Sequence, residues 1–83
     1  MSVMMSITNL FSQSVGIGTN TPSSSAALDI SHTSKGLLIP RMTTVQRNGI
    51  SSPANGLLVY DISTSGFWFY NGGTWVSMAG SGG

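Results

Sequence analysis

The sequence predicts a mostly β domain that associates with further copies of itself, and three observations indicate this. Residues 56–76 contain three short apolar runs separated by turn residues, which is the pattern of short strands joined by tight turns. These runs are apolar on both faces, whereas a sheet with one solvated face alternates apolar and polar residues. The 83-residue chain also has only five charged side chains, three basic and two acidic, too few to keep so apolar a surface soluble as a single copy.

Residues 1–14 form a separate N-terminal segment. Apolar residues recur there at helical spacing, which predicts a short helix that docks on another protein through one apolar stripe. These residues are Val3, Met4, Ile7, Leu10 and Phe11. A helix of about ten residues is marginal in isolation, so a frayed terminus is the alternative. No Lys or Arg precedes Lys35, so the segment lacks the basic region of a secretory signal, and no apolar run is long enough for a membrane span.

Residues 15–78 form the main module, which begins with irregular chain. The stretch 15–25 is rich in Gly, Pro, Ser and Thr, and this predicts extended, irregular backbone in which glycine permits close approach of chains. A short strand is predicted within residues 26–30. Residues 36–40 are a further apolar run, ended by a proline that cannot donate to a β ladder.

The one internal helix candidate follows this run. Thr43 or Thr44 can cap one or two turns that pass through Arg47, with Gly49 near the end and Pro53 as a stop signal. The sequence therefore predicts a single short helical turn before the meander. Residues 79–83 are predicted to be a flexible tail.

The meander itself has two turn signals, the four residues 63–66 and the pair Asn71-Gly72, whose central positions need positive φ. Because side chains alternate along a strand, Leu57 and Val59 share one face and Leu58, Tyr60 and Ile62 the other. Burying each large apolar side chain is worth about 1.5–3 kcal/mol, so neighbouring copies would supply stability that one chain lacks. The predicted inter-chain core comprises Leu37, Leu38, Ile39, Leu57, Leu58, Val59, Tyr60, Phe67, Trp68, Phe69, Tyr70 and Trp75.

Asp61 lies within an apolar strand, where a buried charge requires a partner. The prediction is an ion pair with Arg41 or Arg47, from the same or a neighbouring chain. Arg41 is favoured because it follows the rigid Pro40 and a guanidinium can bind a carboxylate with two hydrogen bonds. Two solvated charges are the alternative reading.

Composition argues against several functions. A net charge of +1 gives no electrostatic footprint for nucleic acid. Two isolated acids, one histidine and no cysteine offer no recognisable catalytic group, so neither enzymatic activity nor a cofactor is predicted. A metal held by three copies of His32 on a symmetry axis is an alternative that one chain cannot display. Exposed Trp68, Tyr70 and Trp75 could instead contact a host-surface glycan.

Five segments together resemble a known family: VGIGTNTP, ALDIS, SKGLLIPRMTTVQRNGI, SPANGLLVYD and FWFYNGGTWV. They are similar to a module of tail fibres and spikes of bacterial viruses, also frequent in surface proteins of flavobacteria, and the resemblance spans Val15 to Val76. It implies an intertwined homotrimer at the virion surface, forming the base, stalk or connector of a short spike involved in host attachment. The implied partners are sister chains and other virion proteins, the latter through residues 1–14. The alternatives are a receptor- or glycan-binding module and a fragment of a bacterial surface or secreted adhesin.

Overall fold

The structure, a computed structural model, describes residues 14–79. The chain divides into two compact units between Gly36 and Leu37. The regular secondary structure of the described part is mostly strand with very little helix, as predicted. Its elements are β1 (Val15–Ile17), β2 (Leu28–Ile30), β3 (Arg41–Met42), α1 (Thr44–Asn48), β4 (Leu58–Asp61), β5 (Gly66–Asn71) and β6 (Thr74–Ser77).

The first unit contains a two-stranded parallel sheet of β1 and β2, in which Val15 pairs with Leu28 and Ile17 with Ile30. The strand predicted within residues 26–30 is therefore confirmed, while its partner β1 lies in a stretch predicted to be irregular. Gly18 has φ +81°, and a Cβ there would overlap the backbone carbonyl of Ser31. Glycine thus permits the close approach of two backbone segments of one chain, while the predicted close approach of separate chains stays a prediction.

The second unit is built on a four-stranded sheet with the order β3-β4-β5-β6. Strand β4 pairs antiparallel with β5, and β5 pairs antiparallel with β6, which confirms the three-strand meander. Strand β3 adds a short parallel pairing that the sequence did not predict. Tyr60 N–H donates to the Pro40 carbonyl at 2.9 Å, but Pro40 has no N–H to return, and β3 begins only at the next residue.

The hairpin between β5 and β6 differs by one residue from the prediction. Asn71 pairs with Thr74, so the two central residues are Gly72 and Gly73, with φ of +63° and +86°, rather than Asn71 and Gly72. The physical reason is that glycine adopts positive φ without a steric cost, so the turn places its two left-handed positions on the two glycines.

The predicted helical turn is confirmed as α1, whose N-cap is Thr43. The Thr43 side chain accepts a hydrogen bond from Gln46 N–H, and the Gln46 side chain accepts one from Thr43 N–H. This reciprocal arrangement is a capping box, which satisfies two backbone donors at the helix start. The capping box fixes the start of α1, a helix of only five residues, at Thr44.

Few side chains of the described residues are buried. Val59, 2% exposed, is the one buried apolar residue among them, and it is accompanied by Arg47 and Asp61. Val59 was predicted to lie in the inter-chain core, and that assignment is wrong because its own chain already covers it. The buried interior formed by residues 14–79 is therefore small and partly ionic.

Some predictions fall outside the described residues. The N-terminal docking residues Val3 to Phe11 and residues 80–83 of the predicted tail lie there. Among residues 14–79, no helix has the length and apolar character that crossing a membrane requires.

Candidate functional site

The two faces of the four-stranded sheet differ in what covers them. Val59 pairs with Trp68, and Tyr70 pairs with Trp75, and paired residues project to the same side. We call this side the closed face, because Arg47 of α1 lies against it. The opposite side is the open face, formed by Leu58, Tyr60, Phe67, Phe69 and Val76.

Asp61 is the last residue of β4, lies on the closed face and is 0% exposed. Its Oδ2 accepts hydrogen bonds from Arg47 Nε at 2.9 Å and from Thr44 Oγ1 at 2.7 Å. Its Oδ1 accepts from the backbone N–H groups of Ser63 at 2.8 Å and Thr64 at 3.1 Å. Four donors thus satisfy both carboxylate oxygens, which is the condition for burying a charge at a tolerable cost.

These contacts decide the ionisation of Asp61. Burial of the carboxyl group raises its pKa, but the hydrogen bonds from Thr44, Arg47, Thr64 and Ser63 outweigh burial and lower the pKa to about 2. Asp61 is therefore ionised at neutral pH and joins α1, the end of β4 and the following turn.

Arg47 contacts two indole rings as well as Asp61. Its guanidinium carbon lies 4.0 Å from the centroid of Trp68 and 5.4 Å from that of Trp75, distances at which a cation is attracted to an aromatic face. The Trp68 ring is fixed in turn, because its Nε1–H donates to Thr64 Oγ1 at 2.9 Å. Trp68 and Trp75, predicted for the inter-chain core, are half-buried residues that contact Arg47 of their own chain.

The prediction of an ion pair at Asp61 is confirmed, but the favoured partner Arg41 is wrong. The partner is Arg47 of the same chain, while Arg41 pairs in register with Tyr60 and is exposed. Strand alternation explains this, because Tyr60 and Asp61 are adjacent residues and project to opposite faces. Arg41 therefore stands on the side of the sheet away from the carboxylate.

Thr44 is the carboxylate ligand that the sequence reasoning missed. Thr44 and Arg47 are three residues apart on α1, so their side chains project to one side of the helix. That spacing, read together with an acid in an apolar strand, is the signal that would have predicted both ligands.

The open face carries the uncovered apolar surface. Phe67 is 48% exposed, and Ile62, which follows β4, is 52% exposed. Tyr60 and Phe67 pack edge to face, with ring centroids 5.0 Å apart. Beside them, Leu37 and Leu38 are 65% and 71% exposed.

A shallow hollow of about 150 Å³ lies at this side of the sheet. Its lining is largely apolar, with one guanidinium, and consists of Leu37, Leu38, Ile39, Arg41, Tyr60 and Phe67. Five of these six residues were predicted to form the inter-chain core, and the structure brings them together. Whether a second chain covers them stays a prediction at this point.

The first unit has a smaller apolar surface of its own. Val15, Ile17 and Leu28 are each about half exposed. The register places Val15 beside Leu28 and Ile17 beside Ile30, so they form one apolar side of the two-stranded sheet.

The family model described as phage tail like trimerisation region matches residues 16–83. No curated protein and no solved structure matches the chain.

Proposed function

Because the chain belongs to the family of the phage tail like trimerisation region, we propose that it is a structural protein of a phage tail or virion that assembles as a homotrimer. In this proposal three copies bury their open faces against one another. The trimer forms the base, stalk or connector of a short spike or fibre that takes part in host attachment.

The proposal depends on one observation, which is that the two faces of the four-stranded sheet differ in the exposure of their side chains. On the closed face the charged pair is covered within one chain, since Arg47 and Asp61 are 5% and 0% exposed. The open face combines exposed Leu58, Ile62 and Phe67 with Leu37 and Leu38, and no described element of the second unit covers it. Contiguous exposed apolar surface of this kind is typical of protein–protein contacts.

The proposal assigns no catalytic activity. Asp61 is fully hydrogen-bonded, and Asp29 accepts a hydrogen bond from Ser23 N–H at 2.8 Å. Both carboxylates of the chain therefore have a structural use. The role proposed for residues 1–14, docking on a further virion protein, rests on their apolar spacing alone. Binding of a host glycan is the alternative function, either through Trp68, Tyr70 and Trp75 or through the turns at 63–66 and 71–73, and a glycan array would test it.

The experiment is to count chains in solution by light scattering and native mass spectrometry. The unmodified protein is expected to contain three chains. Phe67→Lys places a charge on the open face and should release single chains, because an unpaired charge is costly to bury.

Val45→Lys is the matched control, because Val45 is 81% exposed on α1 and does not belong to the open face. It should leave three chains together. The proposal would be contradicted if the unmodified protein remained a single chain at every concentration.

A further inference from the structure

Strand β6 is an unprotected sheet edge. It pairs with β5 on one side only. Met78 N–H donates to the Phe67 carbonyl at 2.9 Å, and because ladder bonds alternate along an antiparallel strand, the N–H and C=O groups of Trp75 and Ser77 point away from β5. Within residues 14–79, no backbone group pairs with them, and one side-chain hydroxyl, Thr74 Oγ1, donates to the Trp75 carbonyl at 3.5 Å. Proteins usually block such an edge with charge, proline or a bulge, and β6 contains none of these.

A second backbone segment without hydrogen-bond partners among the described residues lies just before β3. Residues 37–39 belong to no helix or strand, and their N–H and C=O groups form no backbone hydrogen bond within the described part of the chain. Their side chains are apolar, with Leu37 and Leu38 strongly exposed. Backbone polar groups need a partner when the surface around them is buried, as the proposed assembly requires.

The two unpaired segments belong to opposite edges of one sheet. Residues 37–39 lead into β3, and β4 and β5 lie between β3 and β6. Three strand spacings amount to roughly 14 Å, too far for a hydrogen bond within one chain. Each segment can therefore find the other only on a second copy.

We propose that residues 37–39 of one copy add to β6 of the next copy as a fifth strand, so that the sheets continue from chain to chain. The inference rests on the proposed function and specifies which backbone segments meet. A contact between two different surfaces of identical chains is head-to-tail, and such contacts close into a ring when the rotation between copies allows it. Strand addition at an open edge is a general mode of recognition, and a ring of three copies leaves neither segment unpaired.

The test is disulfide trapping, which is well suited to a chain without cysteine. Ser77→Cys is combined in turn with Leu37→Cys, Leu38→Cys or Ile39→Cys, because the register between the copies is to be determined. Adjacent strands of a sheet lie about 4.7–4.9 Å apart, within the range of Cα separations that a disulfide spans. At least one double variant should give a covalent species of three chains on a non-reducing gel. The control double variant, Val45→Cys with Ser77→Cys, should not.

Amide hydrogen exchange on the unmodified protein supplies the second measurement. The N–H groups of Trp75 and Ser77 should exchange at least about tenfold more slowly in the assembly than in dissociated chains. If native mass spectrometry finds three chains but no double variant is trapped and these amides stay unprotected, strand addition is wrong while the proposed function stands. If the unmodified protein is a single chain, the proposed function is wrong and this inference falls with it.

Discussion

Replacing Leu38 by alanine should weaken the association of chains and leave the fold of each chain almost unaffected. Leu38 is 71% exposed in one chain, so truncating it removes little contact there. Full burial of a leucine side chain is worth about 1.5–3 kcal/mol. The exposed share, which the proposed assembly would cover, therefore corresponds to about 1–2 kcal/mol per chain.

Three equivalent sites multiply this effect. Leu38→Ala should cost the trimer about 3–6 kcal/mol, which raises its dissociation constant by roughly two to four powers of ten. The assay is sedimentation equilibrium over a wide concentration range, with near-ultraviolet circular dichroism of the tryptophans to report the fold of the separated chains.

Val45→Ala is the control, since Val45 is exposed to a similar degree but lies on α1. It should change neither measurement. The reasoning is refuted if Leu38→Ala weakens association no more than Val45→Ala does, or if it unfolds the separated chains.

Three further predictions concern the closed face and the hairpin. Because the pKa of Asp61 is lowered from 3.8 to about 2, the ionised carboxylate stabilises the folded chain above about pH 4 and loses this effect as the pH falls towards 2. In thermal unfolding, Asp61→Asn should therefore have a lower melting temperature at pH 7 and a weaker dependence of that temperature on pH between about 4 and about 2. An unchanged melting temperature would contradict this. Arg47→Lys should lower the unfolding temperature and shift tryptophan emission to the red, because an ammonium group lacks the planar surface that stacks on Trp68; identical emission spectra would count against the stacking. Gly73→Ala should lower the free energy of unfolding in denaturant by about 1–2 kcal/mol, because φ at this position is +86°. Gly36→Ala, at a position with open space around it, should leave that free energy nearly unchanged. Equal effects of the two substitutions would be inconsistent with the turn geometry.

Local signals in the sequence were enough for the meander and for α1. The turns between the apolar runs of residues 56–76 and the cap at Thr43 depend on interactions between residues a few positions apart in the sequence. The position of the hairpin turn was wrong by one residue because Asn71, Gly72 and Gly73 all tolerate positive φ. Only the register with Thr74 decides between the alternatives.

Non-local pairings were harder to predict. Strands β1 and β3 are three and two residues long and pair in parallel with distant segments, so no periodicity distinguishes them from irregular chain. The choice between Arg41 and Arg47 was also non-local. It depended on which face of the sheet α1 covers, a fact that the residues around Asp61 do not contain.

The ion pair between Arg47 and Asp61 has a consequence for how chains meet. Since these two charges lie inside the described unit, the exterior carries only Lys35, Arg41 and Asp29 of the five charged residues. Long-range electrostatic steering then contributes little to the encounter of two copies. Chains of this kind should associate at nearly the same rate in dilute buffer and at high ionic strength, because salt screens only the weak electrostatic interaction between two copies of net charge +1.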